Sequence, residues 1–165
     1  MITEHAYRSR KGRPISLNSF ETIPLERPPS GEEIEITVKS GVIRIAANQS
    51  KNAEDITLAF TCKEDVFKFH YPRELEITIQ AITDTTYFID SRNRTESNTS
   101  DAIMDWIIQL HIVRNETNLE SRLIKFFELL MTRIGKRTQE GLLLEHTLSH
   151  ARIAEIVGST RSTVS

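Results

Sequence analysis

Leu148-Ser149-His150-Ala151-Arg152-Ile153-Ala154-Glu155-Ile156-Val157-Gly158-Ser159-Thr160-Arg161-Ser162-Thr163-Val164-Ser165 orders its small, apolar and polar residues as two short helices crossing at a tight turn. Ala154 falls where the helices would meet and only a methyl group fits. Gly158, four residues on, supplies the positive φ of the turn. Ile153, Val157 and Val164 give the apolar side that keeps such a pair packed. After the turn, Ser159 or Thr160 caps a second helix whose first turn carries Arg161, the side chain best shaped to grip guanine or phosphate.

Working outward, the segment 121–165 carries seven Lys/Arg against four Glu. The first 120 residues hold 14 basic and 19 acidic side chains, and the whole chain a net charge of −2. An acidic front and a basic back suit a sensing domain followed by a nucleic-acid-contacting one. At 165 residues the chain is one domain or two small ones, with ordinary hydrophobic (38%) and charged (27%) content. No apolar run approaches the ~20 residues of a membrane span. The start, Met-Ile-Thr-Glu-His-Ala-Tyr-Arg, lacks the apolar stretch of a signal peptide. One cysteine, Cys62, excludes an internal disulfide and by itself holds neither an iron–sulfur cluster nor a structural zinc. Together these predict a cytoplasmic protein with no membrane partner.

Residues 1–14 read as a polar, flexible N-terminus. Residues 15–90 have β texture: Leu17 to Ile23 and Glu33 to Val38 alternate with period two, and Val42–Ala46, Ile56–Thr61, Val66–Phe69 and Leu75–Ile82 continue in short pieces. Breaks at Pro28-Pro29-Ser30-Gly31, Ser40-Gly41 and Tyr71-Pro72 suggest a small sandwich or jelly-roll barrel. Residues 91–100, rich in Asn, Ser, Thr and Arg, read as a linker. Residues 101–116 form a helix, capped by Ser100 or Asp101, in which Ile103, Trp106, Leu110 and Val113 recur at 3-4-3 spacing. Met104, Ile107, Ile108 and Ile112 fill another side, so this helix needs burial on two sides; we expect dimerisation through the first stripe. Thr117 or Asn118 starts a second helix that ends at Gly135, and Leu142-Leu143-Leu144 reads as a short strand. No internal repeat, Walker-type loop or dinucleotide glycine pattern is present.

This order resembles the Crp/Fnr family of bacterial transcription regulators, with its nearest likeness in the cyanobacterial global nitrogen regulator branch. The strongest local match is Asn118-Leu119-Glu120-Ser121-Arg122-Leu123 and Leu148-Ser149 through Gly158-Ser159-Thr160-Arg161-Ser162-Thr163-Val164. A weaker match runs through Val38-Lys39-Ser40-Gly41-Val42-Ile43 and Glu64-Asp65-Val66-Phe67. The resemblance implies an α+β architecture: an N-terminal cyclic-nucleotide-binding-like β-roll, a long dimerisation helix, and a partial winged helix-turn-helix over 117–165. It implies a non-enzyme that works as a homodimer on double-stranded DNA, with RNA polymerase a further possible partner and no cofactor. Carried over by position, Arg161 reads bases, while Ser149, Thr160 and Thr163 hold phosphates. Ser162 stands where many members carry a Glu, so that specificity contact differs. The family's next arginine would fall one residue beyond Ser165 and its wing beyond that, so the likeness implies a C-terminally truncated member.

The sensor region departs further from the family. Val66-Phe67-Lys68-Phe69-His70-Tyr71 runs almost directly into Pro72-Arg73-Glu74-Leu75, so the loop that cradles a cyclic nucleotide's phosphate is shortened. Ile103 and Ile108 stand where the nitrogen-regulator branch pairs 2-oxoglutarate with ionic groups. We expect neither cyclic AMP nor 2-oxoglutarate to bind. The five histidines show no metal-ligand spacing; His146 and His150 flank the start of the helix pair. Two rival readings remain: a dimerisation and protein-interaction module without specific DNA binding, and a small-molecule-binding β-roll.

Overall fold

A computed structural model describes residues 12–29, 32–48, 54–63, 65–93 and 101–165. The chain divides into two compact units, residues 1–104 and 105–165.

The first unit holds eight strands: β1 (Ile15–Leu17), β2 (Thr22–Pro24), β3 (Glu32–Ser40), β4 (Val42–Asn48), β5 (Ile56–Cys62), β6 (Val66–His70), β7 (Glu76–Ala81) and β8 (Thr85–Asn93). They make two four-stranded antiparallel sheets, ordered β1-β8-β3-β6 and β2-β7-β4-β5, consistent with a jelly-roll core. Period-two alternation buries Ile34, Ile36 and Val38 of β3 and Ile77, Ile79 and Ala81 of β7. β4 is buried on both of its faces, and its Arg44 is wholly enclosed. That guanidinium is held by Asp55 (2.7 Å), Thr57 (2.8 Å) and Gln80 (3.2 Å), which supplies the partners a buried charge requires. Gly41 links β3 to β4 at φ +79°, and a Cβ there would lie 2.3 Å from the Asp84 carbonyl oxygen.

The stretch Leu17 to Ile23, which alternates like a single strand, is two strands in different sheets. The chain turns at Phe20 (φ 69°), where side-chain hydrogen bonds replace the ladder. The Glu21 carboxylate accepts from the Asn18 N–H (2.7 Å) and Asn18 Nδ2 (3.0 Å), and Asp84 accepts from the Ser19 N–H (2.8 Å). The two Asn18 bonds also hold the Glu21 carboxyl below the usual carboxylate range. β8 runs to Asn93, three residues into the expected linker; 94–100 lie outside the described residues, as do 1–11 of the expected N-terminus.

α1 (Ala102–Arg114) starts beside the Asp101 carboxylate, which accepts from the Met104 N–H at 3.1 Å. In the second unit α2 (Leu119–Ile134) is capped by Asn118, whose side chain accepts from the Ser121 N–H. Its buried positions Phe126, Leu130 and Ile134 repeat every four residues, the spacing of one helical face. Gly135 ends it with ordinary φ; glycine is needed because a Cβ would sit 2.3 Å from the Met131 carbonyl oxygen. β9 (Lys136–Thr138) and β10 (Gly141–Leu143) form a hairpin, then come α3 (His150–Val157) and α4 (Arg161–Val164). β9 carries no apolar residue, which is why only its partner was legible as a strand. Among the described residues no helix is long and apolar enough to cross a membrane.

Candidate functional site

The α3–α4 pair is set by its caps. Ser149 caps α3, its Oγ accepting from the Arg152 N–H at 3.2 Å. Gly158 closes α3 in the left-handed conformation (φ 68°, ψ 51°), and the Ser159 N–H returns to the Ala154 carbonyl at 2.8 Å. Ile153, Ala154, Ile156 and Val157 are buried, so α3 is fixed by its apolar side. α4 follows from Thr160, the residue at its cap position, whose hydroxyl bonds those of Thr163 (2.6 Å) and Ser162 (3.0 Å) instead of a backbone N–H. Val164 is half-buried, while Arg161, Ser162 and Thr163 are exposed. The Arg161 guanidinium meets no acceptor among the described residues.

Two arginines outside the helix pair hold it from behind. Arg114, the last residue of α1, donates from Nε to the Ile156 carbonyl and from Nη2 to the Glu155 carbonyl, both at 2.7 Å. Arg122 of α2 donates from Nη1 to the carbonyls of Gly158 (3.3 Å) and Val157 (3.5 Å). Together they place two cations on the carbonyl end of α3, where its unpaired acceptors and negative dipole end coincide. Sequence reasoning missed this role. The available signal was only that both arginines stand at helix ends; which carbonyls they reach is a tertiary matter.

The proposed site residues are thus brought together unequally. Thr160, Arg161, Ser162 and Thr163 share the first turn of α4, whereas Ser149 lies at the opposite end of α3 with its hydroxyl accepting as a cap. On α1 the expected dimer stripe, Ile103, Trp106, Leu110 and Val113, is buried in a single chain. Arg133 of α2 lies 5.6 Å from the Trp106 ring and pairs with Asp105 at 2.6 Å. The apolar side chains of α1 left open are Met104 (56% exposed), Ile107, Ile108 (50%) and Ile112.

The connection from β6 to β7 is short, passing from His70 to Glu76 through Tyr71-Pro72-Arg73-Glu74-Leu75. His146 lies in the loop before α3 and His150 on α3 itself, so they share no helical face. No cluster of metal-ligating residues occurs among the described residues. Cys62 Sγ lies 3.6 Å from the Asp65 carboxylate, an anionic neighbour that does not favour a thiolate.

No family model matches this chain, and no curated protein matches it in sequence. Solved structures do resemble it. A CRP/FNR-family transcriptional regulator of Thermus thermophilus is 17% identical with a TM-score of 0.59, over 92% of this chain and 81% of that one. A CooA mutant from Carboxydothermus hydrogenoformans is 20% identical with a TM-score of 0.56, over 92% and 72%. The c-di-GMP-responsive global regulator CLP of Xanthomonas campestris is 13% identical with a TM-score of 0.56, over 92% and 82%. At these identities the likeness establishes the fold: a CRP-like architecture whose solved examples include CRP/FNR transcription regulators.

Proposed function

We propose that this chain is a DNA-binding transcription regulator of the Crp/Fnr type, acting as a homodimer on palindromic promoter sites, with its nearest likeness in the nitrogen-regulator branch. The observation that carries the reading is the α3–Gly158–α4 turn, which presents Arg161 unpaired on an exposed helix start while Arg114 and Arg122 fix the turn from behind. Arg161 contacts a base edge or a phosphate; Thr160 and Thr163 exchange their mutual hydroxyl bond for donation to phosphates, and Ser149, whose lone pair is used in capping, still has an O–H to give. Ser162 offers a hydroxyl where a carboxylate would read cytosine. Dimerisation uses α1 through Met104, Ile107, Ile108 and Ile112, with RNA polymerase a further partner of the assembled complex.

A second reading is favoured by one observation: no residue of α4 is buried, so its side chains are not fixed by packing. One good bidentate contact gives ~1–3 kcal/mol of base discrimination, whereas specific binding exceeds non-specific binding by ~4–10 kcal/mol. On that reading the chain is a dimerising interaction module with no sequence-specific DNA contact. A gel shift separates the two. A regulator retards a palindromic duplex with half-sites about 34 Å apart in preference to a scrambled one; an interaction module retards neither selectively.

A further inference from the structure

α2 has two apolar sides. Phe126, Leu130 and Ile134 are buried in the core. Leu119, Leu123, Phe127 and Met131 recur every fourth residue on a neighbouring side, with Ile124 beside them, and line an open groove of about 560 Å³. Ile124 stays 53% exposed and Phe127 37%, so the single chain leaves this side uncovered. The charges of α2 divide between the sides. Its three cations are each spent within the second unit: Arg122 on the carbonyls that end α3, Lys125 on Glu116 and Arg133 on Asp105. Its two carboxylates, Glu120 and Glu128, line the groove, and neither meets a cation among the described residues. They stand about two helical turns apart, ~12 Å along the axis.

We propose that this groove docks a basic amphipathic helix of a protein partner. An apolar strip of this length matches one helix lying along it, anchored by apolar side chains of its own at helical spacing. Lysines or arginines on the flank of that helix, about two turns apart, reach Glu120 and Glu128 at the edge. The strip supplies affinity, and the two carboxylates select a cationic helix over an anionic one of the same shape. A second copy of this chain offers no such charge. The open side of its α1 carries Met104, Ile107, Ile108 and Ile112, and the one arginine of that helix, Arg114, is engaged by α3. The groove is built from α2 alone, so the inference is independent of what α4 binds.

The test is an NMR titration of the 165-residue chain with a helical peptide of about 18 residues, leucine on one side and lysine on both flanks. Its counterpart with glutamate at every lysine position is titrated in parallel. The lysine peptide is expected to shift the Leu123, Ile124, Phe127 and Met131 amides saturably. It should bind at least ~10-fold more tightly than the glutamate peptide at about 150 mM salt. In the double variant Glu120→Gln, Glu128→Gln, which breaks no ion pair, that preference should narrow to ~2-fold or less. Ile124→Lys should weaken the lysine peptide ~10-fold or more, while the mass of the chain in light scattering stays the same. The proposal is overturned by the absence of a saturable shift on α2, by equal affinity for the two peptides, or by a preference that survives the double variant. A mass that falls in Ile124→Lys would also overturn it, because the groove would then belong to a second copy.

Discussion

Replacing Arg114 by methionine keeps the aliphatic stem but deletes both bonds from α1 to the end of α3. Hydrogen bonds from a charged donor contribute ~1.5–3 kcal/mol each, and at 2.7 Å both are at the strong end of their range. The side chain is 45% exposed, so water competes for the guanidinium and takes over part of its role in the variant. The lost complement to the helix dipole adds ~0.3–1 kcal/mol. We expect about 2 kcal/mol of local stability to disappear, which is a ~30-fold faster opening. Native-state hydrogen exchange reads it at Ser159, whose N–H bonds the Ala154 carbonyl, and at Gly158, bonded to Glu155. Arg114→Lys should fall between, since an ammonium keeps the charge without a fork spanning two carbonyls. Exchange at Ser159 that rises less than about threefold in Arg114→Met would refute the idea that this arginine holds the helix pair.

Ile108→Asp places a charge on an exposed position of α1, so the chain should stay folded by circular dichroism yet run as a monomer in light scattering, with a midpoint that no longer depends on protein concentration; an unaltered dimer mass contradicts the proposed interface. Gly41→Ala forces an L side chain to φ +79° and drives its Cβ against the Asp84 carbonyl oxygen, for a loss of about 2–5 kcal/mol in urea denaturation; a loss below 1 kcal/mol would mean the β3–β4 turn relaxes freely. Burial pushes the His146 pKa below 6.5, outweighing the opposing pull of Glu145, and its Nε2 is enclosed without a hydrogen-bond partner among the described residues. The unfolded chain therefore takes up that proton first, and the contribution to stability is whole above pH 6.5 and falls away as the pH drops below it. His146→Gln should flatten that part of the stability–pH profile, and an unchanged profile would assign the slope to other groups.

Features set by local chemistry were legible in the sequence. Gly158 is at the positive φ its spacing requires, Asn118 caps α2, and the alternation of β3 translates directly into burial. What escaped was decided by distant partners. The Leu17–Ile23 pattern could not announce its break, because the break depends on Asp84 accepting from the Ser19 N–H across the fold. Lys136-Arg137-Thr138 has no strand signature of its own and becomes β9 only by pairing with β10. Which side of α1 stays open was ambiguous because apolar residues surround the helix; packing selects Ile103, Trp106, Leu110 and Val113 for burial. For Arg114 and Arg122 the sequence shows only that they stand at helix ends; that they grip the carbonyls of α3 is decided by tertiary packing.

The central claim, that the exposed start of α4 reads DNA, is tested most directly by fluorescence anisotropy of a palindromic duplex titrated with this chain and with Arg161→Ala. The account predicts binding at about 50 mM salt that is tighter to the palindrome than to a scrambled duplex and weakens steeply towards about 200 mM, because phosphate contacts supply much of the affinity while Arg161 supplies the preference. It also predicts that Arg161→Ala weakens binding ~10-fold or more at the lower salt. No binding at low salt, or binding indifferent to Arg161, would contradict it.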